Sequence, residues 1–296
     1  MGKFFNNIAK FTAVFLAILF VITTVLALLL YNIEQHAFDA EMYKKACAKN
    51  GPVEELHKLK EEGIINHVGF SSHAPVEVIM DAINTNLFEF VNLHYYYFFQ
   101  RNKRAIDLAA SKDMGVFIIS PNDKGGKLYD SPDKLKQLVA PSTPIQWNTR
   151  FCLGNSAIHT LAFGMTEPSH FEEMGGIFPS SVPLNEDDQA ILENLNDQLF
   201  QVPYADYDGY DLQNDPSGIN IPEVLRFRRL LKGYDMKKFG IYRYNMLGDG
   251  HWFPGEFPTE ENLRKIDMSK VPDSIPLKDL IRETHQELFR EKKNKK

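Results

Sequence analysis

The run Leu93-His94-Tyr95-Tyr96-Tyr97 sets an imidazole beside three phenols. An imidazole beside phenols could move protons to and from a carbonyl or alcohol oxygen. The run also reads as a strand, along which neighbouring side chains point to opposite faces, so aromatic packing is the expectation for it. Cys47 and Cys152 are the two cysteines. They are too few for a four-cysteine zinc site or a cysteine-ligated iron–sulfur cluster, and Cys152 is expected to be a buried small hydrophobe. His57, His67, His73 and His159 do not fall at metal-ligand spacings. Asp206, Asp208, Asp211 and Asp215 repeat like a calcium loop, without its central Gly at the required offset or its terminal Glu. Lys124-Gly125-Gly126-Lys127 lacks the spacing of a phosphate-binding P-loop.

Those residues need a scaffold, and the composition allows one. Of 296 residues, 44% are hydrophobic and 24% charged, an ordinary globular balance with length for about two domains. The formal charge is -6 and no basic stripe appears, which argues against a nucleic-acid partner.

Period and turn residues predict alternating strands and helices between residues 51 and 180. The predicted strands are 67–70, 90–95, 116–120 and 160–163. The predicted helices are 53–62, 76–85, 102–113, 132–139 and a last one from Glu167 to Met174. Gly63 and Gly115 are expected to end helices. The run Val116–Ser120 is nearly all apolar, as expected of a parallel strand covered on both faces. Strands alternating with helices imply right-handed crossovers and a parallel sheet. Residues 181–296 read as a helical extension, with helices predicted at 186–200, 222–231, 260–266 and 277–292 and a polar loop at 204–217. Four βα units occupy about half the length of a closed eight-unit barrel. The outer strands are expected to carry open edges, which favour self-association unless covered.

Residues 1–50 are of another kind. Phe11–Tyr31 is 21 residues without a charge. As a helix it would reach about 30 Å, the hydrocarbon thickness of a bilayer. A single-pass membrane segment is expected there, longer than the apolar region of a cleaved signal. Lys3 and Lys10 before it and Glu34, Asp39 and Glu41 after it favour an N-terminus inside, while Lys44, Lys45 and Lys49 pull against that orientation.

Four blocks carry a resemblance: KEEGIINHVGFSS (60–72), FVNLHYYYFFQRN (90–102), GVFIISPNDKGG (115–126) and LAFGMTEPSHFEE (161–173). In this order and at this spacing they resemble the second half of an aldo/keto reductase. The segments GINIPEVLRFRRL and YRYNMLGDGHWFPG resemble a C-terminal extension in a bacterial branch of that family. The resemblance covers residues 51–255 and leaves residues 1–50 as an unrelated N-terminal membrane segment.

The resemblance implies an α/β fold, a partial TIM (β/α)8 barrel of about four βα units built from strands five to eight. It implies NADPH-dependent hydride transfer between a carbonyl and an alcohol, with NADP(H) across the C-terminal mouth of the strands. Ser71 and Ser72 match the pair that holds the nicotinamide carboxamide, and Asn92 matches a Gln reaching the same amide. Ser120, Pro121 and Asn122 match the turn that contacts the pyrophosphate. Gly164, Thr166, His170 and Glu173 match the last loop and helix, around the adenosine 2′-phosphate and the adenine. A helix N-terminus offers free N–H groups to such an anion. Thr166 stands where many members carry Arg, and Met174 where Asn is usual. The family's catalytic Asp, Tyr, Lys and His come from its first four strands, which the resemblance does not cover. The expectation is an oxidoreductase homologue that is inactive as written, or a membrane-anchored, non-catalytic module binding a nucleotide or a partner. No iron–sulfur cluster is expected, because Tyr204–Ser217 holds no cysteine.

Overall fold

Four short strands form one sheet in which every neighbouring pair is parallel. In the computed structural model, which describes residues 40–123, 126–175, 177, 184–248 and 255–290, helices α1 (Ala40–Ala46) and α2 (Pro52–Glu61) come first. Strand β1 (Gly69–Ser71), helix α3 (Val76–Asn84), strand β2 (Phe90–His94), helix α4 (Lys103–Ser111) and strand β3 (Gly115–Ile119) follow. Helices α5 (Asp133–Leu138) and α6 (Pro144–Leu153) lead to strand β4 (Thr160–Ala162) and helix α7 (Pro168–Gly175). The strand order is β1-β2-β3-β4, so β1 and β4 are the two edges. Phe11–Tyr31, Lys124, Gly125 and residues 249–254 of the YRYNMLGDGHWFPG segment lie outside the described residues. Among the described residues no helix is long and apolar enough to cross a membrane.

The sheet has two unlike faces. Val91, Leu93, Val116 and Ile118 are fully buried on the helix side. Each such aliphatic side chain stabilises the fold by roughly 1.5–3 kcal/mol. Helix α4 packs on β3, and helix α3 packs on α4 and buries Val76, Ile79, Ala82 and Ile83, a stripe at helical spacing. On the opposite face Phe90, Asn92, Phe117 and Ile119 remain half-buried. Phe90 and Phe117 stack there with centroids 5.3 Å apart.

Some predicted boundaries shift for identifiable reasons. The first strand starts at Gly69 rather than His67, because the Glu89 carboxylate accepts the Val68 N–H in place of a ladder partner. Helix α4 stops at Ser111, and Asp113, not Gly115, takes the left-handed turn with φ 56°. Gly115 opens β3 instead: a Cβ there would lie 3.2 Å from the Phe90 Cβ. Helix α6 has no counterpart in the periodicity. It buries Ile145, Trp147, Asn148, Thr149 and Cys152 and so shows no polar stripe. Thr143 and Gln146 cap it reciprocally, with Pro144 in its first turn.

Beyond residue 184 the described chain is helical: α8 (Glu186–Phe200), α9 (Ile221–Tyr234), α10 (Lys237–Tyr244), α11 (Glu260–Arg264) and α12 (Leu277–Leu288). Helix α10 lies where no helix is predicted from sequence. Helix α9 packs against α8, α10 and α12. The sheet and these helices share one apolar core. Two of the four aspartates of the calcium-like run are turn builders: Asp208 accepts the Tyr210 N–H, and Asp215 those of Ser217 and Asp267.

Candidate functional site

The carboxyl ends of the four strands bring most of the sequence-selected residues to one end of the sheet. Ser71 closes β1 and stands in register with Asn92 on β2. Ser72 is buried; its N–H donates to the Asn92 carbonyl at 3.3 Å and its Oγ accepts the Ala74 N–H. The side-chain oxygen Asn92 Oδ1 is buried with no hydrogen-bond partner among the described residues.

Ser120 follows β3 in a left-handed conformation, φ 50°, and its N–H donates to Ala162 of β4 at 3.0 Å. Pro121 and Asn122 are buried behind it. Asn122 donates to the Tyr129 hydroxyl at 3.3 Å, while its own Oδ1 is a second buried acceptor without a partner among the described residues. The Tyr129 ring stacks on His170 of α7, with centroids 3.7 Å apart. His170 Nδ1 in turn accepts the Thr166 N–H at 3.3 Å. Gly164 and Thr166 are exposed on the loop after β4. A Cβ at Gly164 would meet nothing within 4 Å, so its backbone is open to close approach. Glu173 lines the same cavity as Tyr129; its carboxylate accepts the Thr143 hydroxyl, and its backbone carbonyl the Gln146 amide. Two groups therefore form, one on Ser71, Ser72 and Asn92, the other linking Asn122, Tyr129, His170 and Thr166.

Sequence reasoning passes over the residues that brace this end. Asn148 of α6 accepts the Tyr97 N–H at 3.0 Å and donates to the Pro121 carbonyl at 2.8 Å. Arg243 of α10 reaches Asp123 in a bidentate pair, with Nε–Oδ2 at 3.0 Å and a second contact from Nη2 to Oδ1. Both side chains are almost wholly buried. The capping motif before α6 is the signal that could have placed Asn148. Nothing local marks Asp123 and Arg243 as partners.

His94 is 2% exposed, with its ring 5.1 Å from Tyr96 and 5.0 Å from Phe99. Its Nδ1 lies 3.1 Å from the Ile119 carbonyl. Burial and then the Arg243 charge hold its pKa well below the usual value of 6.5, so the ring is neutral and shielded from a carbonyl substrate. Burial also raises Tyr96 to about 12 and raises Tyr95 and Tyr97. These phenols are therefore poorer proton donors than free tyrosine. The expected aromatic packing is what the run does.

A titration consequence follows. The unfolded chain binds a proton at His94 near pH 6.5, whereas the folded chain resists it. Folding stability from this group is present above pH 6.5 and is lost as pH falls below it. Each pH unit of mismatch contributes up to about 1.4 kcal/mol, or about 3 °C in melting temperature. The melting temperature should fall between pH 7.5 and 5.5, and His94→Asn should flatten that slope. Equal slopes in thermal melts of both proteins would contradict the assignment.

No protein-family model matches the chain, and no curated protein matches it. Among solved structures it is similar to the holo form of aldo-keto reductase AKR11C1 from Bacillus halodurans. That match has 21% identity over 49% of this chain and 53% of that one, with a TM-score of 0.42. The apo form of the same enzyme matches at 21% identity over 48% and 55%, with a TM-score of 0.41. The chain spans about half the length of these solved structures.

Proposed function

We propose that this chain is an aldo/keto reductase-type module that binds NADP(H) at the carboxyl ends of its strands and does not by itself reduce a carbonyl. The observation that carries the reading is the buried acceptor Asn92 Oδ1, which has no partner among the described residues. A buried carbonyl oxygen without a donor costs about 1–3 kcal/mol. A ligand that brings N–H or O–H groups removes that cost, and a nicotinamide carboxamide and a ribose carry such groups. Ser71, Ser72 and Asn92 would hold the carboxamide. Ser120, Pro121 and Asn122 would face the pyrophosphate, and Gly164, Thr166 and His170 the adenosine end. Glu173, engaged with Thr143, would support α7 rather than touch ligand. When bound, the cofactor supplies a hydride at its nicotinamide ring. The chain's own residues bind and orient; His94 and Tyr95–Tyr97 are spent on packing. The reading also places the module at a membrane through residues 11–31.

Fluorescence titration of the full chain in mild detergent tests the reading. Saturable NADPH binding is expected, about 3–10-fold weaker in Asn92→Ala, as befits one hydrogen bond. The same preparation should float with lipid vesicles and should not oxidise NADPH with aldehydes. A folded sample without saturable binding removes the cofactor reading. Turnover that scales with protein concentration removes the non-catalytic one.

A further inference from the structure

The sheet's open face is built like a barrel interior. Phe90 lies in register with Gly69 on one side and Gly115 on the other. A Cβ at Gly69 would come within 2.5 Å of the Phe90 ring, so that ring lies flat across its glycine neighbour. One level up, Asn92 stands between Ser71 and Phe117, and Phe117 pairs with Thr160. Such alternation of large and small side chains fills the inside of eight-stranded barrels. No Asp, Glu, Lys or Arg lies on β1 to β4. A like face can therefore approach without charge repulsion.

The edges point the same way. Strands β1 and β4 are each three residues long, and among the described residues each pairs with one neighbour. Since all strands run in one direction, a two-fold axis parallel to them sets β4 of one copy beside β1 of the other, again parallel. Two large apolar residues flank these edges in the open. Ile64, just before β1, is 65% exposed, and Phe171, on the helix after β4, is 62% exposed. Among the described residues the helical extension puts nothing into the ladder at either edge.

We propose that two copies of this chain close one eight-stranded parallel ring, each supplying four strands and half of the interior. Eight strands make a ring just wide enough for side chains to fill. The second copy satisfies both open ladders, covers Phe90 and Phe117, and buries Ile64 and Phe171 at the seams. This assembly is independent of nucleotide binding. Loss of NADPH affinity would leave it standing, and loss of the dimer would leave the nucleotide groups on each chain.

Sedimentation of the full chain in density-matched detergent tests the assembly. A species of twice the 34.0 kDa chain mass is expected. Phe117→Asp should sediment as a single chain with unchanged circular dichroism, because a charge sealed inside the ring weakens association by about 100-fold or more. Mixing Phe117→Asp with Phe117→Lys should restore the doubled mass. Phe171→Asp, at an exposed site that folding tolerates, should weaken the dimer if Phe117→Asp does not fold. A wild-type chain that stays single overturns the proposal. So does an open-ended series of larger species, or a doubled mass indifferent to both aspartates, which would assign pairing to residues 1–39.

Discussion

Arg243→Met should lower stability by about 3–5 kcal/mol, the cost of removing the cation from a buried ion pair. The Asp123 side chain is 0% exposed and Arg243 2%. Arg243 also donates toward Met246 Sδ at 3.5 Å and lies over the Tyr242 ring at 5.3 Å. His94 Nε2 sits 4.0 Å from Asp123 Oδ1. Removing the guanidinium thus strips that buried carboxylate of a bidentate donor fork. For a chain of this size the loss corresponds to about 10 °C in melting temperature. The double variant Asp123→Asn/Arg243→Met should recover most of the loss, since the buried charge is then gone. Lys238→Ala is the contrasting case. Its pair with Asp130 is 81% and 69% exposed, and its removal should change stability by less than about 1 kcal/mol. Urea unfolding of the four proteins checks the ordering; equal midpoints for Arg243→Met and Lys238→Ala would show that the pair is not buried in solution.

That same pair marks the limit of what the sequence can show. The βα rhythm is legible because Val91, Leu93, Val116 and Ile118 each had to be apolar to lie under helices, and strand and helix periods differ. The parallel sheet and its two edge strands follow from that rhythm, and the structure has both. Helix α6 escapes periodicity because it is buried on several sides, so its polar core residues Asn148 and Thr149 look like a loop. The left-handed backbone at Ser120 leaves no trace in residue type, although it sets the shape of the turn after β3. Partners 120 residues apart, such as Asp123 and Arg243, can be found only once the extension is folded onto the sheet. The candidate site was legible where strand ends carry it: Ser71, Ser72, Asn92 and Ser120–Asn122. It was not legible where one ring positions another, as Tyr129 does His170.

Asn148→Ala should be nearly as damaging as loss of Arg243, although no charge is involved. The side chain is fully buried and makes two hydrogen bonds at once, one to the Tyr97 N–H after β2 and one to the Pro121 carbonyl after β3. Alanine leaves both backbone groups dry and unpaired. Each costs about 1–3 kcal/mol, and since they share one partner the expected total is about 3–4 kcal/mol. The effect on function separates this residue from an ordinary core position. Asn148 is what holds the Ser120-Pro121-Asn122 turn against the aromatic run, so its loss loosens the proposed pyrophosphate contact while Ser71, Ser72 and Asn92 stay in place. NADPH affinity should therefore fall at temperatures where the variant is still folded. Trp147→Phe provides the comparison: it removes the indole N–H bond to the Asp188 carbonyl one residue away on the same helix, at similar burial, without touching the turn. It should lose stability and keep affinity. Matched affinity losses in the two variants at equal folded fraction would mean that Asn148 acts through stability alone.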